Sequence, residues 1–167
     1  MLRREENIVL IGMPGVGKST VGVLLAKATG RSFVDTDVLI QVGQERTLPE
    51  ILDAEGIAAF LRIEEDYLCC LDSRASVIAT GGSAVYSPKA MAALKAGGVV
   101  VYLELPLPQL VRRLADLHVR GVVMARGQTL EGLFAERQGL YRQYADVTVP
   151  CDGLTQDQVV ADVLKRL

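Results

Sequence analysis

Residues 12–19, Gly12-Met13-Pro14-Gly15-Val16-Gly17-Lys18-Ser19, carry the clearest chemistry in the chain. They fit the pattern G-x-x-x-x-G-K-[ST], a phosphate-binding loop. Glycines at these positions let backbone N–H groups turn inward around phosphate oxygens, where a Cβ would obstruct. A lysine at the end of the loop places its charge on β- and γ-phosphates, and the hydroxyl after it ligates Mg²⁺. Gly12, Gly15, Val16, Gly17, Lys18, Ser19 and Thr20 are therefore the candidate ATP-binding residues, with Ser19 on the metal. Before them, Asn7-Ile8-Val9-Leu10-Ile11 reads as a buried strand, and residues 20–29 read as a helix whose N-terminus points at the anion.

A second candidate group is Asp35 and Asp37, which close the short β-prone stretch Ser32-Phe33-Val34. Residues i and i+2 of a strand share a side, so both can face the phosphate loop. Paired carboxylates there can serve a Mg²⁺ hydration shell and an acceptor hydroxyl. The alternative is that Asp37 caps the helix that comes next, over residues 38–42. Thr80-Gly81-Gly82-Ser83 leaves a third strand, Ser76-Val77-Ile78-Ala79. Adjacent glycines there allow backbone to approach a ligand closely, at the edge where open parallel sheets bind, although a plain turn has the same composition. Arg62, Glu64, Glu65 and Asp66, on a helix over residues 57–71, read as a solvated, salt-bridged face. Arg137 lies near the middle of a helix over 130–144. The single histidine, His118, reads as a surface loop residue. It opens segment 118–128, which has no period, is punctuated by Arg120-Gly121 and Arg126-Gly127, and reads as a mobile lid.

The remaining elements must position these groups. Pro49 suits the first turn of a helix over 48–54, and Gly56 breaks it. Further helices are expected over 87–95, 108–117 and 155–167. Val99-Val100-Val101-Tyr102-Leu103 is a continuous apolar run, as a strand covered on both faces requires, and Val147-Thr148-Val149 is a last short strand. Alternating strands and helices predict an α/β fold, a parallel sheet with helices on both faces.

Composition limits the function. The 167 residues are expected to form one domain, and half of them are hydrophobic, enough for a real core. A net charge of −2 argues against a nucleic-acid or anionic-membrane surface, and no basic run is interleaved with aromatics. No apolar run suits a signal segment or a membrane span. Three cysteines without a CxxC pair suit a reduced compartment, so the cytoplasm is expected. The expected partner is a small-molecule substrate, and the expected state is a monomer.

Together the landmarks resemble the shikimate kinase family over nearly the whole chain. They are residues 12–20, Phe33-Val34-Asp35-Thr36-Asp37, residues 60–65, Ala79-Thr80-Gly81-Gly82, Arg113 with Arg120 after it, and Arg137-Gln138-Gly139-Leu140-Tyr141 before Ala145-Asp146. The resemblance implies a three-layer P-loop NTPase-type fold, with a five-stranded parallel sheet of order 2-3-1-4-5, helices on both faces and a lid at about 118–128. It implies transfer of the γ-phosphoryl group of ATP to a hydroxyl. By the same resemblance, Lys18, Asp37 and Arg120 are catalytic, Ser19 and Asp35 serve the metal, and Arg113 lies by the adenine. Gly81, Gly82 and Ser83 contact the acceptor, and Arg137 pairs with its carboxylate.

Four departures bear on specificity. The family usually reads F-R-x-x-E after Gly56, with that arginine on the shikimate carboxylate. Here Leu61 takes its place and Arg62 is one residue late, a rotation of roughly 100°. Ser83 replaces a third glycine. Arg120-Gly121-Val122-Val123 stands where Pro-Leu-Leu commonly follows the arginine, and Pro150-Cys151-Asp152-Gly153 has no Arg/Asn pair for the adenine. Arg62 is kept as a candidate acceptor ligand. The expected acceptor is shikimate. A small hydroxy amino acid such as homoserine is the alternative, with Ser83 filling space left by the ring. A non-catalytic nucleotide-binding regulator is a second alternative. A nucleoside monophosphate kinase fits less well, because a carboxylate at the acceptor suits an alcohol.

Overall fold

Ile8, Val9, Leu10 and Ile11 have no exposed surface, because the strand that carries them is covered on both faces. This strand, β1 (Asn7–Ile11), is the middle of a five-stranded sheet of order β2-β3-β1-β4-β5. The others are β2 (Ser32–Asp35), β3 (Ser76–Ala79), β4 (Gly98–Glu104) and β5 (Val147–Pro150), and every pairing is parallel. The fold is seen in a computed structural model, which describes residues 3–114 and 122–167. Strand order and direction agree with expectation.

The strand register places the site. Ala79 pairs with both Leu10 and Asp35, so β1, β2 and β3 end side by side at one edge. The phosphate loop, the Asp35–Asp37 turn and the Gly81–Gly82 turn leave from those three ends. Parallel strands require crossovers, and the crossovers supply the helices.

α1 (Lys18–Thr29) starts two residues earlier than expected, since Lys18 and Ser19 already form its first turn. α2 (Thr36–Gln44) likewise extends beyond 38–42. Asp35, not Asp37, is its cap, accepting from the amides of Asp37 and Val38. Asp37 therefore sits in the first helical turn, and a cap turn rather than strand alternation brings the two carboxylates together. α3 (Leu48–Cys69) joins the two expected helices across Gly56, whose φ of 79° is non-helical and marks a kink. Thr47 and Glu50 close its N-terminus as a capping box. The remaining helices are α4 (Pro88–Gly97), α5 (Leu107–Arg113), α6 (Leu130–Tyr144) and α7 (Gln156–Arg166). Of the expected lid, His118, Arg120 and Gly121 lie outside the described residues. Val123, just after them in the chain, is buried.

The apolar interior divides in two. The main core lies on the sheet. A smaller cluster, Ile40, Leu48, Ile51, Phe60 and Val123, joins α2, α3 and the described part of the expected lid, with Leu61 half-buried against it. No helix among the described residues is long and apolar enough to cross a membrane.

Candidate active site

Gly12, Gly15 and Gly17 all have positive φ, at 147°, 79° and 103°. At Gly12 a Cβ would lie 2.7 Å from the Leu103 carbonyl oxygen, whereas at Gly17 the space is open. The loop thus packs tightly on β4 at its start and leaves its far side clear for a ligand. Lys18 is buried, and its Nζ donates to the carbonyls of Gly12 at 2.7 Å and Met13 at 3.0 Å. Burial pushes its ammonium down to about 8, while the charge of Asp37 pulls it back up.

Ser19 Oγ donates to Asp35 Oδ2 at 2.6 Å, so the hydroxyl and one carboxylate meet at the head of α1. The other Asp35 oxygen is committed to the α2 cap. These are hard oxygen donors, two in number, which fits Mg²⁺ shared with phosphates and water rather than an all-protein cage. Burial raises the Asp37 carboxyl above its usual range, and the nearby Lys18 charge opposes that shift.

Gly81 and Gly82 complete the edge. The Gly81 amide donates to Thr36 Oγ1 at 3.2 Å, and the Gly82 carbonyl accepts from Tyr141 Oη at 2.8 Å. A Cβ at Gly81 would lie 2.6 Å from Glu64 Oε1 and 2.7 Å from Asp37 Oδ1. Glycine is needed there because two carboxylates converge on that point. Arg137 is 1% exposed. Its Nη2 donates to the Val123 carbonyl at 2.6 Å and its Nε to Tyr86 Oη at 3.1 Å, with the guanidinium 5.1 Å from the Tyr86 ring centre.

These groups line one cavity of about 560 Å³, walled by the phosphate loop, Asp35, Asp37, Thr80, Gly81, Gly82, Ser83, Val123 and Arg137. Lys18, Ser19 and Thr20 bring the head of α1 into its wall, and Leu48 and Phe60 bring in α3.

Several candidates are placed differently. Gly12 and Val16 shape the loop but do not line the cavity, since Gly12 abuts β4 and the Val16 side chain is buried. Arg113 does not line the cavity; its Nη1 donates to the Val16 carbonyl of the loop at 3.1 Å. Arg62 is exposed and borders a separate small groove with Leu61, Glu65 and Pro88. Two helical steps from both Phe60 and Glu64, it is turned roughly 200° away from their inward face. The structure therefore does not bring Arg62 to the cavity.

Glu64 corrects the sequence reading most. It is 2% exposed, not solvated. Ser83 Oγ donates to its Oε2 at 2.6 Å, while its Oε1 has no partner among the described residues. Burial pushes its carboxyl up to about 7, a shift that the Ser83 hydrogen bond reduces. The available signal was spacing: Phe60, Glu64 and Leu68 recur every four residues, and the two apolar members are buried. Tyr86, Tyr141 and Thr36 also escape a reading of the sequence, because their roles depend on contacts distant along the chain.

A phosphate loop at the C-terminal edge of a 2-3-1-4-5 parallel sheet, with a carboxylate and an arginine across the same cavity, defines a P-loop kinase of small molecules. The family model for shikimate kinase matches residues 14–167. The chain is 41% identical over 162 residues to a shikimate kinase of Mycobacterium bovis (strain BCG / Pasteur 1173P2), covering 95% of this chain and 92% of that one. It is 40% identical over 167 residues to a shikimate kinase of Pseudomonas entomophila (strain L48), covering 97% and 96%. The solved structure of shikimate kinase from Acinetobacter baumannii in complex with shikimate superposes with a TM-score of 0.90 at 33% identity, over 97% of this chain and 92% of that chain. The chain belongs to the shikimate kinase family.

Proposed function

We infer that the chain transfers the γ-phosphoryl group of ATP to a hydroxyl of a small carboxylate-bearing metabolite, shikimate being the acceptor named for its relatives. The observation that carries this reading is one cavity shared by Lys18, the Ser19–Asp35 pair, Asp37 and Arg137. Little covalent chemistry is asked of the protein, since phosphoryl transfer is mainly positioning and charge stabilisation.

In this reading the amides of the phosphate loop and the α1 N-terminus hold the phosphates, with Gly15, Gly17 and Thr20 nearest them. Lys18 leaves its backbone carbonyls for the β- and γ-oxygens. Ser19 and Asp35 would hold Mg²⁺, which supplies charge neutralisation between the phosphates when bound. Asp37 orients the acceptor hydroxyl and takes its proton, a role favoured by its raised affinity for protons. Arg137 pairs with the acceptor carboxylate. Gly81, Gly82 and Ser83 form the acceptor floor. Arg113 acts through the loop whose Val16 carbonyl it contacts. Arg120 is assigned to the transferring phosphate by the family pattern.

ADP release with ATP, Mg²⁺ and shikimate tests this. A kcat/KM of about 10⁴ M⁻¹s⁻¹ or more is expected, the lower range of ordinary enzymes. ATP hydrolysis that does not respond to any added acceptor overturns it in favour of a nucleotide-binding regulator.

A further inference from the structure

Glu136 and Arg137 are consecutive on α6, yet Arg137 is buried and Glu136 is exposed. Tyr86 spans the boundary between them. It ends the short 3-10 helix Ala84–Tyr86, which follows Gly81-Gly82-Ser83, so the turn that forms the acceptor floor also delivers this ring. The Tyr86 hydroxyl accepts from Arg137 Nε at 3.1 Å and donates to Glu136 Oε1. The guanidinium lies over the ring, 5.1 Å from its centre, within the reach of a cation–π contact. The second oxygen of Glu136 accepts from Gln128 Nε2 at 3.1 Å, and Gln128 Oε1 accepts from the Ala125 amide at 3.1 Å. Arg137 Nη2 meets the same segment directly, at the Val123 carbonyl, 2.6 Å away.

Two anchored donors fix the plane of a guanidinium fork. With Nε on Tyr86 and Nη2 on Val123, Nη1 is left beside Gly82 on the cavity wall. A phenol oxygen that donates to a carboxylate is polarised by it and holds an arginine donor more firmly. Burial and the Glu136 hydrogen bond raise the Tyr86 hydroxyl above its ordinary value, so it stays protonated and the chain from Arg137 through Tyr86 to Glu136 keeps one direction. An arginine ordered in advance loses less freedom when it takes up a carboxylate.

We propose that Tyr86 is a positioning residue for the acceptor: it aims Arg137 at the acceptor carboxylate, and Glu136 acts through it. This rests on the kinase reading of the same cavity, with Arg137 as the partner of that carboxylate.

Tyr86→Phe tests it, because the ring stays over the guanidinium and only the hydroxyl is lost. ADP release with ATP and Mg²⁺ is expected to show KM for shikimate raised roughly 3- to 10-fold, the scale of one net hydrogen bond, with KM for ATP unchanged. Glu136→Gln, which offers Tyr86 a neutral acceptor, is expected to raise KM for shikimate by a smaller factor. In an Arg137→Met background, Tyr86→Phe is expected to change KM for shikimate by less than about twofold, since a residue that acts through the guanidinium has nothing left to act on. An unchanged KM for shikimate in Tyr86→Phe overturns the proposal, whatever happens to kcat. So does an equal rise in KM for ATP, which marks a general loss of structure, and so does a full effect that persists in Arg137→Met. Shikimate turnover by the unaltered protein decides the kinase reading separately. Its absence removes that reading and this proposal with it, whereas turnover that Tyr86→Phe leaves unaltered overturns the proposal alone.

Discussion

The phosphate end and the acceptor end of the cavity are built on opposite principles. At the phosphate end the charged side chains of Lys18 and Asp35 already have partners among the described residues: Lys18 two carbonyls, Asp35 the Ser19 hydroxyl and two amides. At the acceptor end the hydrogen-bond partners of Arg137 among the described residues are neutral, and behind Ser83 one oxygen of Glu64 has no partner among them. A self-satisfied site keeps its shape before ligand arrives and exchanges one set of contacts for another. An unsatisfied one stores its preference as an electrostatic demand, and so selects among ligands more than it holds its form.

The contrast is broken most severely where the two ends meet. Asp37→Asn keeps the side-chain shape but cannot accept the hydroxyl proton. It is expected to lower kcat by ~10²–10⁴ while nucleotide affinity persists, measured by ADP release and nucleotide titration. Retained turnover would remove Asp37 from the mechanism.

Arg137→Met sharpens the distinction on the acceptor side alone. Losing a hydrogen bond to a charged group costs about 1.5–3 kcal/mol, so kcat/KM for a carboxylate acceptor should drop roughly 10- to 150-fold. The change should appear in KM for the acceptor and not in KM for ATP. Equal loss in both would mean that the guanidinium supports the fold rather than the ligand.

The smallest effect separates the stored demand from ligand binding altogether. Glu64 has a folded value of about 7 against an ordinary 4.5, so the native state holds its proton more tightly than the unfolded chain. Native stability from this group is therefore lost as pH rises through that window, and the deficit is complete above pH 7. Glu64→Gln has no such proton to lose, and its amide can donate towards Asp37. The variant should be more stable than the original protein at pH 8, by up to roughly 3 kcal/mol, with the gap closing towards pH 4.5. Urea melts across that range check the sign. A gap that does not depend on pH would mean Glu64 is ionised and paired throughout.

The two ends also differ in how far the chain discloses them. The phosphate loop is contiguous, and its chemistry follows from glycines, a lysine and a hydroxyl at set intervals, so Gly17, Lys18 and Ser19 can be read directly. The parallel sheet follows from apolar runs such as Val99-Val100-Val101-Tyr102-Leu103, which need cover on both faces. Asp35 and Asp37 are singled out by spacing and both line the cavity, but the cap turn at the head of α2 joins them, not the alternation of a strand. The acceptor end draws on α3, α6 and the turn after β3, and no local pattern reports which acidic residue of Glu64, Glu65 and Asp66 faces inward. The four-residue recurrence through Phe60 and Leu68 is the one legible clue. Arg62 stands out in the sequence as a nearby cation, yet the helix turns it outward.

The division of the apolar interior has a consequence for how such a chain changes over generations. Leu61 packs with Ile40, Leu48, Ile51, Phe60 and Val123, whereas the strands that carry the phosphate loop and Asp35 belong to the larger cluster. Substitutions in groups that share no neighbours tend to act independently. Changes in the small cluster therefore reach the acceptor wall directly, through Leu48, Phe60 and Val123, and the nucleotide end chiefly through α2, whose cap is Asp35. Inheritance is modular in this molecule up to the helix that both ends share.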